Sequence, residues 1–250
     1  MRIMPRRRVE LSYRELGGAF FRVFSAGSKK RRALVAEFER KFADFIGARY
    51  AIAVPSFRTG LSFFFDSSDF AKGDEILLPA LNYHVVPAIL KNKGMNPVFV
   101  DIDPETWTID PQKVEEKITD RTKGLIALHL FGQSCPMAAL RDVCRRHNIF
   151  LIEDVAHACG GRYHGKKLGS WGDLAFFSFG TGKALVAFGG GMITTNDENI
   201  FLRMKKRIDG LRLPWGVLSA KSFCGALAET VFTRKILFSF FIYPLAWMIS

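Results

Sequence analysis

Asp154 and Lys183 are the residues of this chain whose settings best suit covalent chemistry. Asp154 follows the apolar run Ile149-Phe150-Leu151-Ile152. A carboxylate at a strand end can hold a protonated ring nitrogen, because the ion pair keeps that nitrogen positive; taken alone, Asp154 reads as a helix N-cap. Lys183 follows Phe177-Ser178-Phe179-Gly180-Thr181-Gly182. A lysine reached through two glycines past a strand can form a Schiff base with an aldehyde once desolvation or a nearby cation lowers its pKa; taken alone, it is a surface lysine. Ser178, Thr181 and loop N–H groups could bind a phosphate.

Three further segments complete the set. Ser56-Phe57-Arg58-Thr59-Gly60-Leu61 precedes a helical pattern, and a helix N-terminus carrying Ser, Arg and Thr is a ready anion site. Without Arg58 it would be an ordinary capped start, with Ser56 or Thr59 as cap. Tyr83, after Pro79-Ala80-Leu81-Asn82, could stack on a flat ring or simply pack. Gly189-Gly190-Gly191 permits close backbone approach. An anion cradle, an aromatic face, a carboxylate and a lysine are together what pyridoxal phosphate needs: phosphate held, ring stacked, pyridine nitrogen kept protonated, aldehyde carried. No metal is expected, since Cys135, Cys144, Cys159 and Cys224 give neither a CxxC pair nor a disulfide framework. A reducing, cytoplasmic compartment is the default.

The elements that must position these residues follow from short apolar runs alternating with helical patterns. Strands are predicted at Tyr50–Val54, Glu75–Pro79, Pro97–Asp101, Gly124–Leu130, Ile149–Glu153, Ala175–Phe179 and Gly191–Thr195, and helices at 31–47, 59–70, 84–93, 111–118, 136–147 and 197–208. Near-continuous apolar strands indicate a sheet covered on both faces. The alternation predicts an α/β fold with an open, mostly parallel seven-stranded sheet flanked by helices. Such sheets bind ligands beyond the carboxyl ends of their strands, where the candidate residues fall.

The chain has 250 residues with a net charge of +12. Residues 1–40 carry +7, residues 201–250 carry +6 and the middle carries −1. Basic ends on a neutral body argue against a nucleic-acid-binding domain, which would carry a basic stripe across its body. The divisions read as a basic segment at 1–30, an α/β cofactor-binding domain at 31–210, and a helical, apolar segment at 211–250 with a helix near 218–233. Its run 236–249 is apolar except for Ser239 and Pro244 and falls short of the roughly 20 residues that span a bilayer. A buried helix, a dimer interface and a membrane-surface contact are all open for it.

The segments Ile152-Glu153-Asp154-Val155-Ala156-His157-Ala158-Cys159-Gly160, Gly165-Lys166-Lys167-Leu168-Gly169-Ser170-Trp171-Gly172-Asp173 and Phe177 to Lys183 resemble the DegT/DnrJ/EryC1/StrS sugar aminotransferases. So do Gly73-Asp74-Glu75, Pro97-Val98-Phe99-Val100-Asp101-Ile102-Asp103 and Gly132-Gln133. Asp154 and Lys183 keep the family spacing of 29 residues, and the likeness runs over roughly 35–208. It implies a fold-type-I transferase large domain, pyridoxal 5'-phosphate as cofactor and a homodimer. Lys183 would carry the Schiff base, Asp154 pair with the ring nitrogen, and His157 stand near the ring oxygen. Ser178, Arg58 and Thr59 would meet the phosphate, and Tyr83 the ring face. The reaction implied is transfer of an amino group from an amino acid, typically glutamate, to a nucleotide- or lipid-linked keto sugar. Phe57 and Arg58 depart from the family's Gly-Thr, and Phe188 from its Gly-Glu. The family's small C-terminal domain is not recognisable after 210, which would suit a fragment, a truncated product or a divergent member. Two alternatives are a non-catalytic cofactor- or membrane-binding relative and a sugar dehydratase; in the latter branch histidine typically replaces the lysine.

Overall fold

The computed structural model describes residues 27–180, 182–187 and 189–211, with 14, 17, 18, 223–225, 227, 228 and 230. Val35–Leu211 forms one compact unit, which holds every candidate residue. Met1–Leu34 with Arg212–Ser250 groups as a second. Within it, 223–225, 227, 228 and 230 are helical, on the stretch predicted helical at 218–233. The basic segment Met1–Arg8 and the apolar run 236–249 lie outside the described residues.

Helix α1 (Ser28–Ile46) buries Phe42, Ala43 and Ile46. It stops at Gly47, whose φ of 83° is a left-handed conformation that glycine adopts without a Cβ penalty. The chain then alternates through β1 (Tyr50–Val54), α2 (Phe57–Ser67), β2 (Glu75–Pro79), α3 (Val85–Asn92), β3 (Asn96–Val100), α4 (Pro111–Glu116), β4 (Thr122–Leu128), α5 (Met137–Arg146) and β5 (Phe150–Asp154). A small hairpin, β6 (Arg162–Tyr163) with β7 (Lys166–Lys167), precedes β8 (Leu174–Ser178), β9 (Gly191–Thr195) and α6 (Glu198–Asp209). Side chains fix several helix starts: Ser56 accepts from Thr59 N–H, Asp110 from Gln112 N–H, and Asp197 from Ile200 N–H, each satisfying an otherwise orphaned donor.

Seven strands form one sheet in the order β1-β9-β8-β5-β4-β2-β3. Pairing is parallel from β8 through β3, and β9 runs antiparallel to both neighbours. The central strands β2, β4, β5, β8 and β9 are buried on both faces. Leu77, Leu125, Ala127, Leu151 and Phe177 pack on one side with α1 and α5; Ile76, Ile126, Ile152 and Phe176 pack on the other with α2 and α3. That double coverage is why the strands read as continuous apolar runs.

Four boundaries differ from the predictions in ways that matter for the site. β8 stops at Ser178, one residue before the predicted Phe179, and β5 extends through Asp154, which closes the strand instead of following it. Asp154 therefore caps no helix. β4 ends at Leu128 and a tight turn follows at 130–132, where Phe131 and Gly132 adopt positive φ of 54° and 88° that no strand continues. Helix α2 begins at Phe57, which puts Arg58 inside its first turn. The hairpin Arg162–Lys167 was not predicted.

Candidate active site

The carboxyl ends of the parallel strands and the antiparallel β9 bring four loops together. Val54 and Ser178 both pair with Gly191, and Ser56 bridges to Gly190. A Cβ on Gly191 would lie 2.5 Å from the Phe177 carbonyl oxygen and 3.0 Å from the Phe57 nitrogen. Only glycine lets the start of α2 approach the end of β8 this closely. Ser56 Oγ accepts the Thr59 N–H at 3.1 Å and lies 2.9 Å from Thr59 Oγ1. Arg58 is exposed in the first turn of the same helix. The arrangement is a cationic helix N-terminus opposed by Ser178 and a bare glycine backbone, which suits a phosphate.

Asp154 is 4% exposed. Its Oδ1 accepts the Ala156 N–H at 3.0 Å, and its backbone is tied on both sides, by His129 N–H to its carbonyl and by Val155 N–H to Phe176 O. Burial pushes its pKa up to about 6, against the lowering effects of the Ala156 N–H, His129 and Lys183. A buried acid of this kind is held as a carboxylate by a positive partner, and a protonated ring nitrogen is a group of that kind. Lys183 occupies the β8–β9 loop and acts electrostatically on both Asp154 and His157. His157 is half-buried, and burial, then Lys183, hold its pKa below the ordinary imidazole value. Its Nδ1 accepts the Phe131 N–H at 3.4 Å, which leaves Nε2 to carry the proton.

The ring contact recorded for Tyr83 is with His84, edge-on at 4.7 Å; the Tyr83 ring is 58% exposed and open to stacking. Thr181 and Phe188 lie outside the described residues. Among those described, no group of three or more His, Cys, Asp or Glu could hold a metal, and the four cysteines are unpaired. No helix among them is long and apolar enough to cross a membrane. A groove of about 620 Å³ between Lys123, Arg141, Lys166, Asp173 and Asp197 lies at the amino ends of the strands. It mixes both charges and holds none of the predicted site residues.

Sequence reasoning missed Glu153 and His129, both fully buried and hydrogen-bonded to each other at 3.2 Å. Their signal was available, since each is a polar residue in an apolar strand run. It also missed Trp107 and Phe131, two exposed aromatics with positive φ whose rings meet edge-on at 6.1 Å. Phe131 stacks in turn on His157, with ring centroids 6.0 Å apart.

Comparison with known proteins agrees with this geometry. Residues 21–213 match the profile of the DegT/DnrJ/EryC1/StrS aminotransferase family. The chain is 43% identical over 171 residues to a GDP-perosamine synthase of Caulobacter vibrioides, covering 68% of this chain and 46% of that protein. It is 41% identical over 200 residues to a dTDP-3-amino-3,6-dideoxy-alpha-D-galactopyranose transaminase of Aneurinibacillus thermoaerophilus, covering 79% and 55%. Among solved structures, DesI in the presence of its TDP-sugar product superposes with a TM-score of 0.74 at 30% identity, covering 88% of this chain and 60% of that one. The chain thus spans about half the length of the curated relatives it matches.

Proposed function

This chain belongs to the DegT/DnrJ/EryC1/StrS aminotransferase family, and from that premise we propose that it binds pyridoxal 5'-phosphate and aminates a keto sugar. The donor is an amino acid, glutamate in our reading, and the acceptor sugar is carried on a nucleotide or a lipid. The working unit is a homodimer in the cytoplasm. When bound, the cofactor supplies an aldehyde that condenses with amines and a ring that accepts electrons.

The rest falls to the chain's own residues. The start of α2, Arg58, Thr59 and Ser178 bind the phosphate; Arg58 adds a charge-assisted contact in place of the family's small residues. Tyr83 covers the ring face. Asp154, buried at the end of β5, holds the proton on the ring nitrogen. His157 carries its proton on Nε2, since Nδ1 accepts from Phe131, and so donates toward the ring oxygen. Lys183 Nζ would hold the cofactor through its aldehyde carbon, and the same amine is the base placed to carry a proton at the site. A lysine at this place favours amino transfer over the dehydratase alternative.

The observation that carries this reading is the buried Asp154, closing β5 and accepting the Ala156 N–H, within electrostatic reach of Lys183 at the carboxyl ends of one sheet. The test is spectroscopic. The protein mixed with pyridoxal 5'-phosphate should absorb in the visible, borohydride should fix the cofactor to the peptide holding Lys183, and excess glutamate should bleach the band. A Lys183→Ala protein that keeps a reducible visible band would refute the assignment. A band that no amino acid bleaches would leave a binding module without turnover.

A further inference from the structure

Side chains alternate along β5, so Glu153 lies on the sheet face of Leu151 and Asp154 on that of Ile152. Behind Asp154 the glutamate is completely buried. Its Oε1 accepts the N–H groups of Trp171 and Gly172, both at 2.7 Å. Its Oε2 accepts the Gly169 N–H at 2.8 Å and faces His129 Nε2 at 3.2 Å. The other ring nitrogen, His129 Nδ1, accepts the Cys135 N–H at 3.1 Å. A nitrogen that accepts has kept its lone pair, so His129 is neutral with its proton on Nε2. Glu153 is then a carboxylate satisfied by four donors. This arrangement ties the turn Gly169–Gly172 to β5 and the end of β4 to both.

The turn that leaves β4 is pinned at both ends. His129 N–H donates to the Asp154 carbonyl at 3.1 Å, Cys135 N–H to the His129 ring, and Cys135 Sγ to Leu128 O. Between those pins, Phe131 N–H holds His157 Nδ1. Both residues assigned to the ring of the cofactor are thus braced through His129, one by its backbone and the other through the turn that its imidazole closes.

We infer that Glu153 and His129 form a positioning couple that sets Asp154 and His157 against the ring edge of the cofactor from the opposite face of the sheet. The inference rests on the cofactor assignment above. Neither residue touches the cofactor; each acts through the groups it fixes. Polar groups sealed in the core with every partner met are rigid, and replacing one partner leaves the other unsatisfied.

The couple is tested by the pH dependence of the visible band in the cofactor-loaded full chain. A less firmly held Asp154 leaves less positive charge on the ring, so the imine proton is held more tightly and the midpoint rises. Glu153→Gln turns an amide donor toward donors that His129 cannot reverse without losing Cys135. His129→Leu removes both ring contacts. Each should raise the midpoint by roughly one pH unit. His129→Gln, whose amide can donate to Glu153 and accept from Cys135, should restore it. A purely structural pair would lower thermal stability in the two disruptive variants and leave the midpoint where it was. Loaded, folded Glu153→Gln or His129→Leu protein with an unmoved midpoint overturns the couple.

Should those variants not fold, nitrogen-15 spectra of the wild-type histidine rings decide. His129 should be a neutral Nε2–H ring whose signals move when the cofactor is added; an imidazolium or an unmoved ring overturns the inference. A wild-type protein with no visible band fails the cofactor assignment itself, whereas a normal band with unresponsive variants fails the couple alone.

Discussion

Two buried carboxylates at opposite ends of one sheet have opposite settings. Glu75, at the amino end of β2, is 3% exposed. It accepts Thr119 Oγ1 at 2.5 Å, Arg121 Nη2 at 2.8 Å and Nε at 3.1 Å, and Thr122 Oγ1 at 3.3 Å. The Thr119 hydroxyl first, then the Arg121 guanidinium, hold its pKa below the ordinary carboxylate value. Asp154, at the carboxyl end of β5, is as little exposed but more strongly desolvated, and that desolvation raises its pKa to about 6 against one side-chain hydrogen bond, from the Ala156 N–H. Glu75 is met by side chains that join strands, whereas in the proposed reading Asp154 takes its further partner from the cofactor. Desolvation left without a strong compensating partner is the setting in which an acid can serve a functional role.

The two settings have opposite linkage. The depressed pKa of Glu75 gives stability that is present above the unfolded carboxylate pKa and lost as pH falls through the folded value. The raised pKa of Asp154 is a penalty on the cofactor-free fold at pH values above about 6, relieved as pH falls below it.

The largest effect should come from Asp154→Asn. A neutral ring nitrogen is a poor electron sink, so glutamate-dependent bleaching should slow on the order of a thousand-fold. The cofactor-free variant should nevertheless unfold at a higher temperature than wild type at pH 8, by up to about 3 kcal/mol, with the gain shrinking below pH 6. A destabilised variant at pH 8 would break the contrast with Glu75.

Arg58→Ala should come next. Losing a charged hydrogen bond to phosphate weakens cofactor binding by about 10- to 150-fold, read by fluorescence titration. Lys123→Ala, at the exposed amino end of β4, should leave binding unchanged; equal losses would mean that overall charge, not the cradle, attracts the phosphate.

Glu75→Gln should cost about 2 kcal/mol in urea unfolding at pH 7, without change in the cofactor spectrum. Its deficit should narrow in acid, because wild type then loses the same charge. A spectral change would show that the two ends of the sheet are coupled. The smallest effect is expected for Thr195→Val, which removes the hydroxyl contacts to Asp173 O at 2.7 Å and from Asp197 N–H at 3.1 Å. About 1 kcal/mol of stability should be lost with cofactor affinity unaltered.

The sequence by itself determined the layered architecture and most of the strand cores, because apolar runs of strand length record double burial directly. Tyr50–Val54, Glu75–Pro79 and Gly191–Thr195 have the predicted bounds for that reason. It also singled out Asp154 and Lys183, whose residue types and spacing are unusual at strand ends. Tertiary structure alone decided what surrounds them. The antiparallel course of β9 puts Gly191 against Phe57 and Ser178, and no local pattern encodes a contact across 134 residues. The hairpin at 162–167 was missed because two-residue strands are too short to show a period. Glu153 and His129 stand out as polar residues in apolar runs, but their role depends on partners arriving from Gly169–Gly172 and Cys135. Composition and periodicity report whether a residue is buried, but which donors meet it once buried depends on the packing of segments distant in sequence.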